Sequence, residues 1–365
     1  MSDSRWQERI RKPLRGTAAY QVAAHPNAIK LDANESPYLL SRATMEALGR
    51  DLATTELHRY PDASAKQLRT LLAQRLGIAV EQLLLGNGSD ELIALLCATF
   101  AEPRGDGKPA SIAYAVPGFV VFRTAALANG LTPVEVPLGP QFQPDEAALL
   151  TAVAEHAPNL VFLATPNNPT GTVWPRSTVE KLLAQHPDVI TVVDEAYLAY
   201  GDQPTCVDLA LAHPHCVVLQ TLSKIGLAAL RIGLLVGRAE VLAAVEKIRP
   251  PYNLNSLSQR AAFKLLNDHA AEVEAHFAEV KSERQRLAAA LAALPGVETF
   301  PSGGNFLLVR ALGAGAARKL YDALIERGVL VRLFDAGLLA GCMRITVGTP
   351  EENGWLLDAL KSALA

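Results

Sequence analysis

At 365 residues the chain has room for two or three domains of roughly 150 residues each. Half of it is hydrophobic and 19% is charged, which excludes a disordered acidic or basic tail. Thirty-four Lys and Arg against 37 Asp and Glu leave a formal charge of −3, without the basic stripe of a nucleic-acid binder. No apolar run reaches the roughly 18 residues of a membrane helix, and the greasiest stretch, 226–236, is interrupted by Arg231. Met1 to Leu14 mixes charges around no apolar centre, so it does not read as a secretory signal and a cytoplasmic protein is expected.

The first 40 or so residues, with Pro13, Gly16, Pro26 and Pro37, read as an irregular arm, bounded here as 1–44. Helical periodicity follows over 64–76, 89–100, 144–156 and 176–185. Ser89, with Asp90 and Glu91 ahead of five apolar residues, resembles a capped helix start. Between the helices, Leu160 to Ala164, Val189 to Val193 and Val217 to Leu222 are continuous apolar runs of strand length. Such runs belong to strands buried on both faces, so the expected class is α/β, a mainly parallel sheet sandwiched by helices. Pro250-Pro251 break the pattern and set the limit of a large domain, 45–252. A smaller α+β domain, 253–365, is expected beyond them. It opens with one long Ala- and Leu-rich helical stretch over 256–294, ended by Pro295-Gly296. Strands at 306–309 and 343–347 and helices at 314–327 and 351–364 complete it.

Cys97, Cys206, Cys216 and Cys342 show no CxxC pair and read as reduced core thiols. His213-Pro214-His215-Cys216 has no second cluster to complete a metal site, and no metal is expected.

Open parallel sheets bind ligands beyond the carboxyl ends of their strands. Four polar segments fall there: Gly86-Asn87-Gly88-Ser89, Thr165 to Gly171, Asp194-Glu195-Ala196-Tyr197 and Ser223-Lys224. Singly each is ordinary: a lysine is usually a solvated charge, an Asp a helix cap, an Asn-Pro-Thr-Gly run a turn. Gly86-x-Gly88 meets neither the Rossmann nor the P-loop pattern. Together they are what a pyridoxal phosphate enzyme needs: a lysine to condense with the cofactor aldehyde and then shuttle a proton, and a carboxylate for the pyridine nitrogen. Ligands for the ring oxygen are also needed, and backbone N–H groups with an arginine for the phosphate.

The ordered motifs Asn167-Asn168-Pro169-Thr170-Gly171, Asp194-Glu195-Ala196-Tyr197 and Ser223-Lys224 through Arg231 resemble those of the fold-type-I pyridoxal phosphate aminotransferases over about residues 16–350. Within them the chain is most similar to the histidinol-phosphate aminotransferases. The pointers are Tyr20 to Ala23, Leu31 to Pro37, Arg59-Tyr60-Pro61-Asp62, Gly88 to Glu91 and Arg344 to Gly348. The resemblance implies pyridoxal 5'-phosphate as cofactor and transamination between histidinol phosphate and 2-oxoglutarate, giving imidazole-acetol phosphate and glutamate, a step of histidine biosynthesis. It implies Lys224 as the cofactor-linked lysine, Asp194 as partner of the ring nitrogen, and Asn168 and Tyr197 as ligands of the ring oxygen. Phe119 would stack on the ring, while Ser223, Arg231 and the Ser89-Asp90 backbone would bind the phosphate. Tyr60 would reach the site of the neighbouring subunit, making a homodimer with shared active sites. Tyr20, Asn34, Arg332 and Arg344 match substrate-facing positions, since guanidinium forks take phosphate or carboxylate alike.

Arg231 follows Lys224 by seven residues, one fewer than the familiar pattern, so the loop is expected to tighten at Gly226. A carboxylate at Asp90 would repel a phosphate unless it turns away. Three other readings stay open on the sequence: an aminotransferase for aromatic or aliphatic amino acids, a threonine-phosphate decarboxylase-like lyase, and a non-catalytic domain on the same fold.

Overall fold

The larger sheet owes its order to strands whose successive side chains feed two different cores. In Leu160–Ala164, Val161 and Leu163 pack into one hydrophobic cluster while Leu160, Phe162 and Ala164 pack into another. The same alternation holds in Cys216–Thr221, where Val218 and Val217 divide between the clusters. That double burial is why these strands appear in the sequence as unbroken apolar runs.

The computed structural model describes residues 5–16, 28–105 and 107–364. In chain order the strands are β1 (Ile29–Leu31), β2 (Leu83–Asn87), β3 (Ser111–Val116), β4 (Thr132–Pro137), β5 (Leu160–Ala164) and β6 (Ile190–Asp194). They continue with β7 (Cys216–Thr221), β8 (Ile232–Gly237), β9 (Val297–Thr299), β10 (Phe306–Ala311), β11 (Val329–Phe334) and β12 (Cys342–Thr346). The helices of the first half are α1 (Arg42–Leu52), α2 (Lys66–Leu76), α3 (Ser89–Thr99), α4 (Val120–Asn129), α5 (Glu146–His156) and α6 (Arg176–Gln185). Those of the second half are α7 (Val207–Ala212), α8 (Ala239–Glu246), α9 (Ser256–Asp268), α10 (Ala270–Ala292), α11 (Ala316–Glu326) and α12 (Pro350–Leu364).

Seven strands form the larger sheet in the order β2-β8-β7-β6-β5-β3-β4, with β8 antiparallel to both neighbours and the remaining pairs parallel. Helices α3, α4 and α8 cover one face, and α2, α5, α6, α7 and α9 the other. A five-stranded sheet, β1-β11-β12-β10-β9, packs with α10, α11 and α12 around a third core. The chain is thus α/β, with a mainly parallel sheet between helices and a smaller α+β unit behind it. No described helix is long and apolar enough to cross a membrane. All four cysteines are buried and free.

Three local expectations need correction. The helical stretch at 256–294 is two helices, because His269 leaves helical geometry (φ −130, ψ 21) between α9 and α10. The arm is not wholly irregular: Ile29–Leu31 joins β11 in parallel, the edge strand of the smaller sheet. Three residues are too few to display a period in sequence. Finally, Ser89 does not cap α3. It is the first helical residue, and Gly88 (φ 79, ψ 166) holds the cap position without a side-chain hydrogen bond.

Candidate active site

At the carboxyl ends of β2, β5, β6 and β7, the loops predicted to converge do so. Ser89, Asp90, Asn168, Asp194, Tyr197, Ser223 and Lys224 line one cavity of about 490 Å³, with Phe119 and Arg231 on the same walls. The smaller sheet closes it with Arg332 and Arg344, and Asn34 enters from the segment after β1.

One end of the cavity suits an anion. Helix α3 begins there with no side chain spent on its first N–H groups, which carry the positive end of the helix dipole. A Cβ on Gly88 would lie 2.4 Å from Arg231 Nη2, so glycine is what lets the guanidinium come this close to the helix. Arg231 Nη1 donates to Ser223 Oγ at 3.1 Å, and Nη2 pairs with Asp90 Oδ2 at 3.4 Å. The backbone between Lys224 and Arg231 turns tightly: Gly226 takes φ +98 and Arg231 itself φ +53. The arginine therefore still arrives at the cradle.

The middle of the cavity holds the proton chemistry. Lys224 ends a short 3₁₀ turn, Leu222–Lys224, and its Nζ donates to Ala33 O at 3.1 Å. Asp194, at the last position of β6, is 5% exposed and accepts one hydrogen bond, from Ala196 N at 3.0 Å. Burial pushes its carboxyl up to about 7, the Ala196 bond opposing that shift. Tyr197 Oη accepts from Asn34 Nδ2 at 3.0 Å, which leaves the phenol proton to donate elsewhere. Asn34 is itself held: its N–H donates to Thr346 Oγ1 at 2.9 Å and its carbonyl accepts from Asn305 Nδ2 at 3.1 Å. Asn168 Oδ1 accepts from Arg344 Nη1 at 2.6 Å, which leaves the amide N–H groups of Asn168 as donors.

At the far end Arg332 and Arg344 sit directly opposite each other on β11 and β12. Two cations at one cross-strand position repel unless anionic groups lie between or beside them. Arg344 is buried and also donates to Asp32 O.

Tyr60 does not line this cavity; it is 81% exposed and stacks on Tyr252, with ring centroids 4.6 Å apart. Tyr20 lies outside the described residues. Sequence reasoning missed several wall residues. Thr221 orders the lysine turn by accepting from Ser223 N at 3.1 Å, and the Thr-x-Ser pattern before Lys224 was its signal. Asp32, inside the Leu31 to Pro37 segment, also lines the cavity. Arg318 and Tyr321 of α11 also line the cavity, but their spacing reads like any solvated helix face.

Residues 26–360 match the family model for aminotransferase class I and II. Histidinol-phosphate aminotransferase 1 of Burkholderia lata is 42% identical over 361 residues, covering 98% of each chain. The chain belongs to the histidinol-phosphate aminotransferase family. The family's member from Paracidovorax citrulli is 40% identical over 98% of this chain and 97% of its own. The crystal structure of the Sinorhizobium meliloti family member, in complex with pyridoxal-5'-phosphate, superposes with a TM-score of 0.82 at 27% identity. That superposition covers 92% of this chain and 90% of the other. The histidinol-phosphate aminotransferase likeness thus spans nearly the whole chain, from the arm through the smaller unit.

Proposed function

We propose that this chain transfers an amino group between histidinol phosphate and 2-oxoglutarate, using pyridoxal 5'-phosphate, as a step of histidine biosynthesis. The observation that carries the reading is the order of chemistry along one cavity: anion cradle, buried carboxylate with a lysine beside it, then two facing arginines.

The residues fit the cofactor by charge and by hydrogen-bonding capacity. A buried carboxylate with a single backbone partner, its proton affinity raised, calls for a cation, which a protonated pyridine nitrogen provides. Asp194 would hold that nitrogen. Asn168 and Tyr197, each with a donor left over, would hold the ring oxygen, and Phe119 would cover the ring face. Ser223, Arg231 and the N–H groups of Ser89 and Asp90 would bind the phosphate. When bound, the cofactor supplies an aldehyde to carry the amino group and an electron-withdrawing ring.

Lys224 would be the residue bonded to the aldehyde carbon, and its free Nζ would be the base and acid that moves the proton at the substrate carbon bearing the amine. Asp194 would favour the protonated form of the ring nitrogen. Arg332 and Arg344 would grip the phosphate of histidinol phosphate in one half-reaction and a carboxylate of 2-oxoglutarate or glutamate in the other.

The working form is proposed as a cytoplasmic homodimer in which Tyr60 serves the neighbouring subunit's phosphate site. Its ring is exposed at the surface instead of turned into its own cavity, and the four unpaired thiols suit a reducing compartment. The test is an amino-donor panel with 2-oxoglutarate. Histidinol phosphate should exceed phenylalanine, tyrosine and O-phosphothreonine in kcat/KM. Preference for phenylalanine, or carbon dioxide release from O-phosphothreonine, would overturn the reading.

A further inference from the structure

Lys224 is held at both ends, and the second hold comes from a residue with no place in the chemistry described so far. The turn Leu222–Lys224 stops abruptly before Gly226, and the last carbonyls of such a turn have no partner in the turn itself. The carbonyl of Lys224 accepts instead from Tyr200 Oη, at 2.6 Å. Tyr200 is 1% exposed, and burial raises the affinity of its phenol for the proton, so it stays a neutral donor. Its ring packs with Val280 and Val347 and meets Phe277 edge-on at 5.8 Å.

The backbone of Tyr200 is fixed in turn by the C-terminal part of the chain. Arg284, buried on α10, donates through Nη1 to Tyr200 O at 2.9 Å and to Gly304 O at 2.7 Å. Gly304 leads into Asn305, which holds the carbonyl of Asn34, the residue that orients Tyr197. A side chain linked this way on one side and to the lysine backbone on the other sets where the lysine stem begins.

We propose that Tyr200 is a positioning residue for Lys224, its buried hydroxyl fixing the turn from which the reactive amine projects. The proposal rests on the reading of Lys224 as the cofactor-linked lysine. Losing the hydroxyl leaves a carbonyl unpaired in the interior and lets the turn relax, with Nζ displaced from its working position.

The test compares wild type, Tyr200→Phe and Phe277→Leu, each stripped of cofactor and reconstituted with pyridoxal 5'-phosphate. Three quantities are read: the rate of borohydride-trappable adduct formation at Lys224, the pH midpoint of the visible band of the lysine-bound cofactor, and the thermal midpoint. Tyr200→Phe should trap the adduct about tenfold more slowly, the scale of one buried hydrogen bond. Its band midpoint should move, and kcat should fall more than KM rises. Phe277→Leu should lower the thermal midpoint with adduct rate and band unchanged. An adduct rate and band midpoint in Tyr200→Phe equal to wild type, with only the thermal midpoint lowered, would reduce Tyr200 to packing and overturn the proposal alone. No adduct at Lys224 in wild type would overturn the reading beneath it. If Tyr200→Phe does not fold, 3-fluorotyrosine at position 200 keeps ring and donor: a shifted band midpoint supports the proposal and an unshifted one rejects it.

Discussion

Arg231 Nη2 lies 3.4 Å from Asp90 Oδ2, so the guanidinium at the anion cradle already has a carboxylate partner on the first turn of α3. Both side chains are about half exposed, and such a pair adds little to stability. Its consequence is competitive, because a cofactor phosphate must share Arg231 with a like-charged neighbour. Asp90→Asn should therefore bind pyridoxal 5'-phosphate more tightly, about tenfold, a shift within the reach of one unit charge at this range. The thermal midpoint of the apoprotein should drop slightly, since a carboxylate near a helix N-terminus is worth about 0.3–1 kcal/mol. Cofactor titration checks the first and a thermal melt of the apoprotein the second, and weaker binding would mean that Asp90 helps the phosphate.

Asp194 makes the apoprotein sensitive to pH in an unusual direction. Burial raises its carboxyl from 3.8 to about 7, so the folded chain holds that proton more tightly than the unfolded chain does. Stability therefore falls as pH climbs from about 4 to about 7, and the whole cost is present above that window. Asp194→Asn removes the cost. The two apoproteins should melt together near pH 4 and diverge by pH 8, with the Asn form higher. Added cofactor should raise wild type more than the variant, because only wild type gains a cation–carboxylate pair. Parallel melting curves at every pH would refute this account of Asp194.

What the sequence discloses here and what it withholds follow from distance along the chain. Leu160–Ala164 and Ser89–Thr99 are visible because burial on both faces, or on one helical face, writes a local pattern. The Ser89, Asn168, Asp194 and Lys224 loops are visible because each follows a strand, and a parallel sheet brings strand ends to one rim. The break at His269 is not visible: no Gly or Pro marks it, and α10 starts on Ala-rich sequence as favourable to helix as what precedes it. Nor is the bond from Asn34 to Tyr197, or from Tyr200 to Lys224, since each joins segments that only the tertiary fold brings together. The stacking of Tyr60 on Tyr252 is of the same kind.

Arg332 and Arg344 face one another across β11 and β12, yet they should behave differently when removed. Arg344 holds both Asn168 Oδ1 and Asp32 O, so Arg344→Ala should lower kcat/KM for histidinol phosphate and 2-oxoglutarate by roughly 100-fold and weaken cofactor binding as well. Arg332→Ala should raise KM for both substrates and leave cofactor affinity as it was. Arg344→Lys should recover only a small part of the loss, because an ammonium cannot bridge two acceptors in one plane. Steady-state kinetics with each substrate varied, alongside cofactor titration, separates these outcomes. Unchanged KM for both substrates in both alanine variants would remove the pair from the binding site.

Tyr60 allows the shared-site homodimer to be tested without a structure of the assembly. Lys224→Ala should abolish turnover and the borohydride-trapped adduct, and Tyr60→Ala should lower cofactor affinity, so each homodimer alone is impaired. If Tyr60 serves the neighbouring subunit, a hybrid of one Lys224→Ala chain and one Tyr60→Ala chain concentrates both lesions in one site. The other site then draws Lys224 from the Tyr60→Ala chain and Tyr60 from the Lys224→Ala chain, and is intact. Differently tagged chains purified as hybrids should recover about half the wild-type activity per dimer, a consequence of one working site in two. If Tyr60 acted within its own chain, every hybrid site would carry one lesion and no fully active site could form. Activity no higher than the mean of the two parent homodimers would thus show that the exposed Tyr60–Tyr252 stack does not complete a partner's site.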